Sequence, residues 1–217
     1  MNGQTNDILY QAASVWQELT EYCYIFTYGY KNRLNTINLT FSQEDFPHLA
    51  GFQYLKDISL PRFNPRKLVD KILDKKITYA HISKGVQYES SVKPRLEALT
   101  CLKDVIEQDF SLFSYMPRMY PFTTRIKADY LISSHLDLVS FVFIIQSNPN
   151  GQAKCDYLCC SAFTKAERDY ETNQRTRTIL KKERMHISSQ ASAILYDRLS
   201  LSMNKAVASR LSASPDP

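Results

Sequence analysis

His48 is the residue whose sequence context best suits proton transfer. It lies in the segment DFPHLAGFQYLKD (residues 45–57), which follows a strand-like run. Ser42 or Asp45 can cap a short helix there, and Pro47 tolerates an early helical position because its missing N–H would be unpaired anyway. The positive end of a helix disfavours imidazolium, so we expect a neutral ring that can accept or donate a proton. The alternative is a histidine at the edge of the core, bonded to a backbone carbonyl.

Arg95 occupies a helical position that apolar residues otherwise fill. The predicted helix 88–108 carries a seam with 4-3-4-3-4 spacing, formed by Tyr88, Val92, Arg95, Leu99, Leu102 and Ile106. An arginine on such a face must pair with an acid, bond backbone carbonyls or await an anionic ligand. Pro94 can kink or restart the helix and so lift Arg95 toward a cavity. A structural arginine–carboxylate pair and a ligand site are both open alternatives here.

A third stretch whose residues could bind a ligand is the basic segment 174–186 (QRTRTILKKERMH). It holds five lysines and arginines and one acidic residue. It reads as a strand with Gln174, Thr176 and Thr178 on one face and Arg175 and Arg177 on the other. Such a strand suits a polyanionic ligand.

The elements that must position these residues form a mixed pattern. Helical periodicity predicts helices over residues 6–20, 65–74, 78–84 and, at the C-terminus, 188–211. Alternation predicts a hairpin of strands 22–30 and 36–41, and later strands at 111–115, 126–132, 138–146, 155–163 and 174–186. We therefore expect one α+β domain over residues 1–211, with the N-terminal hairpin and the helices packed on an antiparallel β-sheet, a C-terminal helix, and a disordered tail at 212–217.

The first strand of this hairpin carries five aromatic residues with period two: Tyr22, Tyr24, Phe26, Tyr28 and Tyr30. A ladder of this kind can stack the bases of RNA. Packing across strands under a helix is the simpler interpretation.

Composition limits the class of protein. The chain has 217 residues, 44% of them hydrophobic, and a formal net charge of +5, which is compatible with a polyanionic ligand. No apolar run approaches the roughly 18 residues of a membrane span, and no secretory signal is visible, so we expect a cytoplasmic protein with no membrane partner. The cysteines are odd in number, five, so without a secretory signal we expect reduced thiols, and because they lack metal-ligand spacing we expect no metal. No cofactor is expected either.

Three stretches resemble one protein family and occur in its order along the chain. They are DFPHLAGFQYLKD, the span from VKPRLEALTCLKDVIEQDF through YPFTTRIKADYLIS, and DYETNQRTRTILKKE. The chain resembles the fourth group of phage Barnase–EndoU–colicin–RelE-like nucleases, a family associated with phages and mobile elements. The resemblance covers roughly residues 6–187.

This resemblance implies the BECR fold and a metal-independent, toxin-like endoribonuclease. In that chemistry a base removes the ribose 2′-OH proton, the oxygen attacks phosphorus, cationic donors stabilise the phosphorane and an acid protonates the leaving 5′-oxygen. The motif matches place His48, Arg95 and Thr178 in the catalytic site. RNA-binding roles fall to Lys56, Gln174, Arg177 and Lys181. The second proton-transfer group stays open between Lys56, Lys181 and a tyrosine.

Two other classes of function are open. The domain could bind RNA or a phosphate-bearing ligand without cutting it, through Arg95 and the basic strand. It could also be a protein-interaction module of a toxin–antitoxin pair, with the helical half as its interface. The expected partners are therefore RNA and a neutralising antitoxin protein.

Overall fold

The computed structural model describes residues 7–135, 140–147, 156–166 and 168–200. The helices of this part are α1 (Ile8–Leu19), α2 (Phe46–Leu49), α3 (Leu68–Leu73), α4 (Tyr79–Ile82), α5 (Lys93–Thr100) and α6 (Leu102–Glu107). Its strands are β1 (Tyr22–Tyr30), β2 (Arg33–Thr40), β3 (Ser111–Ser114), β4 (Tyr130–Ser134), β5 (Ser140–Gln146), β6 (Asp156–Thr164), β7 (Arg175–His186) and β8 (Ser192–Asp197). No helix in these ranges is long and apolar enough to cross a membrane.

Seven of these strands close into a barrel. Their order around the wall is β1-β2-β6-β5-β4-β3-β7, and β7 pairs back with β1, while β8 adds to β7 outside the ring. The prediction of an α+β domain with helices packed on an open antiparallel sheet is therefore wrong, and β2 and β6 also run parallel. Alternation along a strand shows which face is apolar, but closure depends on strand tilt and stagger, which no single strand reveals.

The helices and the inward faces of the strands share one hydrophobic core. Trp16 of α1, Tyr24 and Phe26 of β1 and Phe46 of α2 are fully buried members of it. The predicted alternation of β1 is confirmed: the three middle members of its aromatic ladder are buried in the core, and the two end members are partly buried against it. Trp16 Nε1 donates a hydrogen bond to the Ser42 carbonyl oxygen at 3.1 Å, which ties α1 to the segment that leads into α2.

The predicted long helix 88–108 is interrupted. Residues Tyr88–Val92 form a π-helical turn, Pro94 lies in the first turn of α5, and Cys101 separates α5 from α6. Pro94 restarts the helix because a first-turn residue needs no intrahelical N–H bond. The predicted seam is confirmed, since its five apolar members are buried and Arg95 is half-buried among them.

The C-terminal helix predicted for residues 188–211 is wrong over residues 188–197, and helical backbone begins only at residue 198. Ser192–Asp197 form β8, which pairs antiparallel with β7. A short apolar run fits both helical and strand periods, and the free edge of β7 selects the strand. Residues 201–211 and the tail 212–217 lie outside the described residues.

Candidate active site

His48 lies on the protein surface in a single helical turn. Phe46 and Leu49 are buried and anchor the turn, whereas the imidazole is exposed. The helix ends there because Gly51 adopts φ of +84°, a left-handed conformation that favours glycine. Within the described chain the His48 ring makes no hydrogen bond or ion pair. The alternative of a histidine bonded to a backbone carbonyl at the edge of the core is therefore not what the structure shows there. By contrast, His81 Nδ1 accepts a hydrogen bond from Thr78 N at 3.0 Å and helps to cap α4.

Arg95 presents a buried nitrogen without an acceptor. Its Nη1 has no hydrogen-bond partner among the residues that the structure describes. The guanidinium carbon lies 5.5 Å from the ring centre of Tyr54 and 5.9 Å from that of Phe163, contacts that hold the group without using its donors. In the same part of the chain no ion pair involves Arg95, so the structural arginine–carboxylate pair is not formed there. A buried charged donor is costly without an acceptor, so Arg95 Nη1 has a hydrogen bond to offer to an anionic ligand.

Gly51 joins these two residues into one surface. A Cβ atom at this position would lie 3.1 Å from Cδ of Arg95 and 3.4 Å from the carbonyl oxygen of Ser91. The Gly51 N–H in turn donates to the His48 carbonyl oxygen at 3.1 Å. The turn that carries His48 therefore packs directly on the Arg95 side chain.

Asp45 is a half-buried acid of the same surface, one helical turn before His48. Burial raises the pKa of its carboxyl group, the charge of Glu44 adds to this, and His48 opposes it. Burial also raises the pKa of the Cys159 thiol on β6, with Asp45 adding to the effect and Arg95 opposing it, so both charged groups approach this point of the barrel wall. Sequence reasoning treated Asp45 only as a helix cap. The sequence feature that could have pointed to Asp45 as a site residue is its position three residues before His48.

Thr178 lies on a different wall of the barrel. It is on β7 beside Gly29 of β1, whereas α5 packs on β6. Two strands separate β6 from β7 in one direction around the ring and three in the other. Arg177 shares the wall of Thr178, where its Nε donates to Oγ of Ser114 at 2.8 Å. The structure thus packs the turn that carries His48 against Arg95, whereas Thr178 lies elsewhere on the barrel.

The other residues predicted to bind RNA are dispersed. Lys56 is exposed, and it follows a break in the helix that was expected to carry both it and His48. Gln174 uses its amide on the backbone of Met116, accepting from N at 2.7 Å and donating to O at 3.2 Å. Lys181 forms an ion pair with Glu183 at 2.8 Å. Gln174 therefore holds a loop in place.

Metal ligands are not grouped in this site. The described ranges contain no cluster of three or more His, Cys, Asp or Glu side chains placed to hold a metal ion. The thiols of Cys23, Cys101, Cys159 and Cys160 are free.

The fold and this surface define a class of protein, a β-barrel domain with a cluster of polar groups on one side. The groups are an exposed imidazole, a half-buried carboxyl and a guanidinium nitrogen without a partner among the described residues. Such groups are suited to phosphate-ester chemistry. The particular family follows from comparison with known proteins. The chain belongs to the family described as phage-Barnase-EndoU-ColicinE5/D-RelE like nuclease 4, whose sequence profile matches residues 8–199. The resemblance seen in the three sequence stretches is thereby confirmed. Searches of curated proteins and of solved structures gave no match.

Proposed function

We propose that this protein is an endoribonuclease that cleaves RNA by attack of the ribose 2′-OH at the surface formed by His48, Arg95 and Asp45. The observation that carries the proposal is the buried Arg95 Nη1, a cationic donor without an acceptor in the described chain, on a side chain that packs against the turn of the exposed His48. Membership of a phage-associated nuclease family supports nucleic acid as the substrate. The three groups cover both proton transfers and the charge stabilisation, so the proposed route needs no metal ion.

Each group has one role in this route. His48 takes the proton of the 2′-OH, and the oxygen attacks the adjacent phosphorus. Arg95 donates from Nη1 to a non-bridging oxygen, where negative charge develops in the phosphorane. The Asp45 carboxyl, whose pKa burial raises, supplies the proton that the leaving 5′-oxygen takes up. The products are a 2′,3′-cyclic phosphate and a 5′-hydroxyl.

Incubation of the purified protein with labelled single-stranded RNA in excess EDTA tests the proposal. We expect fragments that end in a 2′,3′-cyclic phosphate, and no cut where a 2′-deoxy sugar precedes the scissile phosphate. Binding without cleavage would support the non-catalytic alternative. Cleavage that requires a divalent ion, or that proceeds at the 2′-deoxy position, would contradict the proposed chemistry.

A toxin role is part of the same proposal. A ribonuclease of a phage-associated family would cleave the RNA of the cell that makes it, so we propose that an antitoxin protein neutralises it. Induced expression should then arrest growth, and unimpaired growth with active enzyme present would exclude the role.

We expect Asp45→Asn to stabilise the protein at neutral pH while lowering cleavage by about 10²-fold, as for loss of a general acid. The folded-state pKa of Asp45 is raised, so the unfolded chain ionises first as pH rises through the ordinary value of 3.8. The free energy of unfolding therefore falls as the pH rises from the ordinary pKa to the raised folded-state pKa. The uncharged amide of the Asn variant avoids this loss. Thermal unfolding should show a higher Tm for the variant at pH 7 and no gain below the ordinary pKa. A lower Tm at pH 7 would contradict the interpretation.

Gly51→Ala should displace the Arg95 side chain and strain the backbone of the turn that carries His48. The added Cβ meets Arg95 and requires a left-handed conformation, so the free energy of unfolding should fall by about 1–3 kcal/mol. Cleavage should fall by about 10- to 10²-fold, because a displacement of about 1 Å has effects of that size. Gly29→Ala is the matched control, because its nearest contact is Cδ1 of Leu180 at 3.4 Å and its φ is not positive. Denaturant unfolding and cleavage rates compare the two, and equal effects would show that Gly51 has no special role.

A further inference from the structure

A groove of about 430 Å³ lies along β7, on the wall that carries Thr178. β3 pairs with β7 at Arg175–Arg177 and β8 pairs with it at Lys181–Met185, so neither strand covers the edge of residues 178–180 between them. The groove occupies this gap. Its volume falls within the roughly 300–1,000 Å³ typical of small-ligand sites.

Four hydroxyl groups line this groove: those of Ser111, Thr176, Thr178 and Tyr196. None of them makes a side-chain hydrogen bond to another residue in the described part of the chain. Tyr196 also presents an aromatic ring that is 37% exposed. The groove therefore offers donors and acceptors together with a stacking surface.

Positive charge in the groove comes from Arg177 and Lys182. The guanidinium of Arg177 stacks 3.8 Å from the ring centre of Tyr30, which fixes its plane. Lys182 is buried, and its Nζ donates to the backbone carbonyl oxygens of Glu107, at 3.3 Å, and of Gln108. Because Asp109 is the one acidic residue among the described residues of this lining, the charge of the groove favours an anion.

We propose that this groove binds a nucleotide of the RNA strand at a distance from the cleaved bond. The hydroxyls and Arg177 contact phosphate and ribose, the buried Lys182 adds positive charge behind them, and the Tyr196 ring stacks an unpaired base. The groove and the His48 surface lie on different walls of the barrel, so a bound strand spans several nucleotides between them. This inference rests on the proposed ribonuclease function and names its substrate class as single-stranded RNA longer than a dinucleotide.

Binding of a non-cleavable probe tests the groove without any need for catalysis. The probe is a fluorescein-labelled single-stranded RNA of about 12 nucleotides with 2′-O-methyl sugars. We expect Tyr196→Ala to raise its Kd by about 5- to 100-fold and Thr178→Val by about 5-fold, measured by fluorescence anisotropy. Tyr10→Ala is the matched control, because Tyr10 is 39% exposed on α1, away from the groove, and its Kd should equal that of the wild type.

A second readout uses substrate length. For the wild type, lengthening a cleavable RNA from a dinucleotide to the probe length should lower KM, and Tyr196→Ala should lose this gain while Tyr10→Ala keeps it. If both groove variants bind the probe as tightly as Tyr10→Ala, the groove proposal is overturned even where RNA is cleaved. If the groove variants weaken binding but the wild type cuts no RNA, the groove stands and the proposed cleavage fails.

Discussion

His48→Ala is expected to reduce RNA cleavage by about 10²–10⁴-fold, the range for loss of a general acid–base group. The protein should stay folded, because the imidazole is exposed and makes no hydrogen bond within the described chain. Substitution at such a surface position usually changes the free energy of unfolding by less than about 0.5 kcal/mol. Cleavage rates on labelled RNA and denaturant unfolding of the same preparation measure both effects.

His81→Ala provides the opposite control. His81 is also exposed, but it takes part in the cap of α4 with Thr78. Its loss should cost about 1 kcal/mol of stability and leave cleavage intact. Full cleavage by a stable His48→Ala variant would show that His48 takes no part in the chemistry.

Arg95→Lys is expected to keep the fold and to lower kcat by about 10²–10³-fold, the typical effect of removing a positioned transition-state donor. Lysine keeps the charge but lacks the planar array of donors that directs Nη1 into the site. Arg95→Leu should be at least equally inactive. It should also be stable, because no carboxylate pairs with Arg95 among the described residues and none is stranded by its loss.

Arg184→Leu is the matched control for this pair of variants. Arg184 Nη1 pairs with Oε1 of Glu107 at 2.8 Å, and both side chains are mostly buried. Removing Arg184 leaves that carboxylate with the Tyr24 hydroxyl as donor but without its cationic partner, which should cost about 1–3 kcal/mol. Thermal unfolding and kcat compare the three variants. A destabilised Arg95→Leu variant beside a Lys variant with near-normal kcat would show that Arg95 is structural.

Local sequence patterns predicted much of the secondary structure and part of the site. The alternation of β1, the short helix α4 and the restart of the helix at Pro94 depend on neighbours within a few residues, and all three are present. The same holds for the seam that leaves Arg95 among buried apolar residues. His48 was found as an isolated signal, and the three sequence stretches were sufficient to find the family.

The tertiary structure decided everything that depends on pairing between distant segments. Closure of the barrel requires β7 to pair with β1 across more than 140 residues, and β8 forms because that pairing leaves one edge of β7 open. The same closure sets Thr178 on another wall from Arg95, whereas Gly51 places the turn that carries His48 against the Arg95 side chain. Asp45 acquires its raised pKa only when the fold buries it. Sequence periodicity reports which face of an element is apolar, but strand partners and burial are set by contacts that no local window contains.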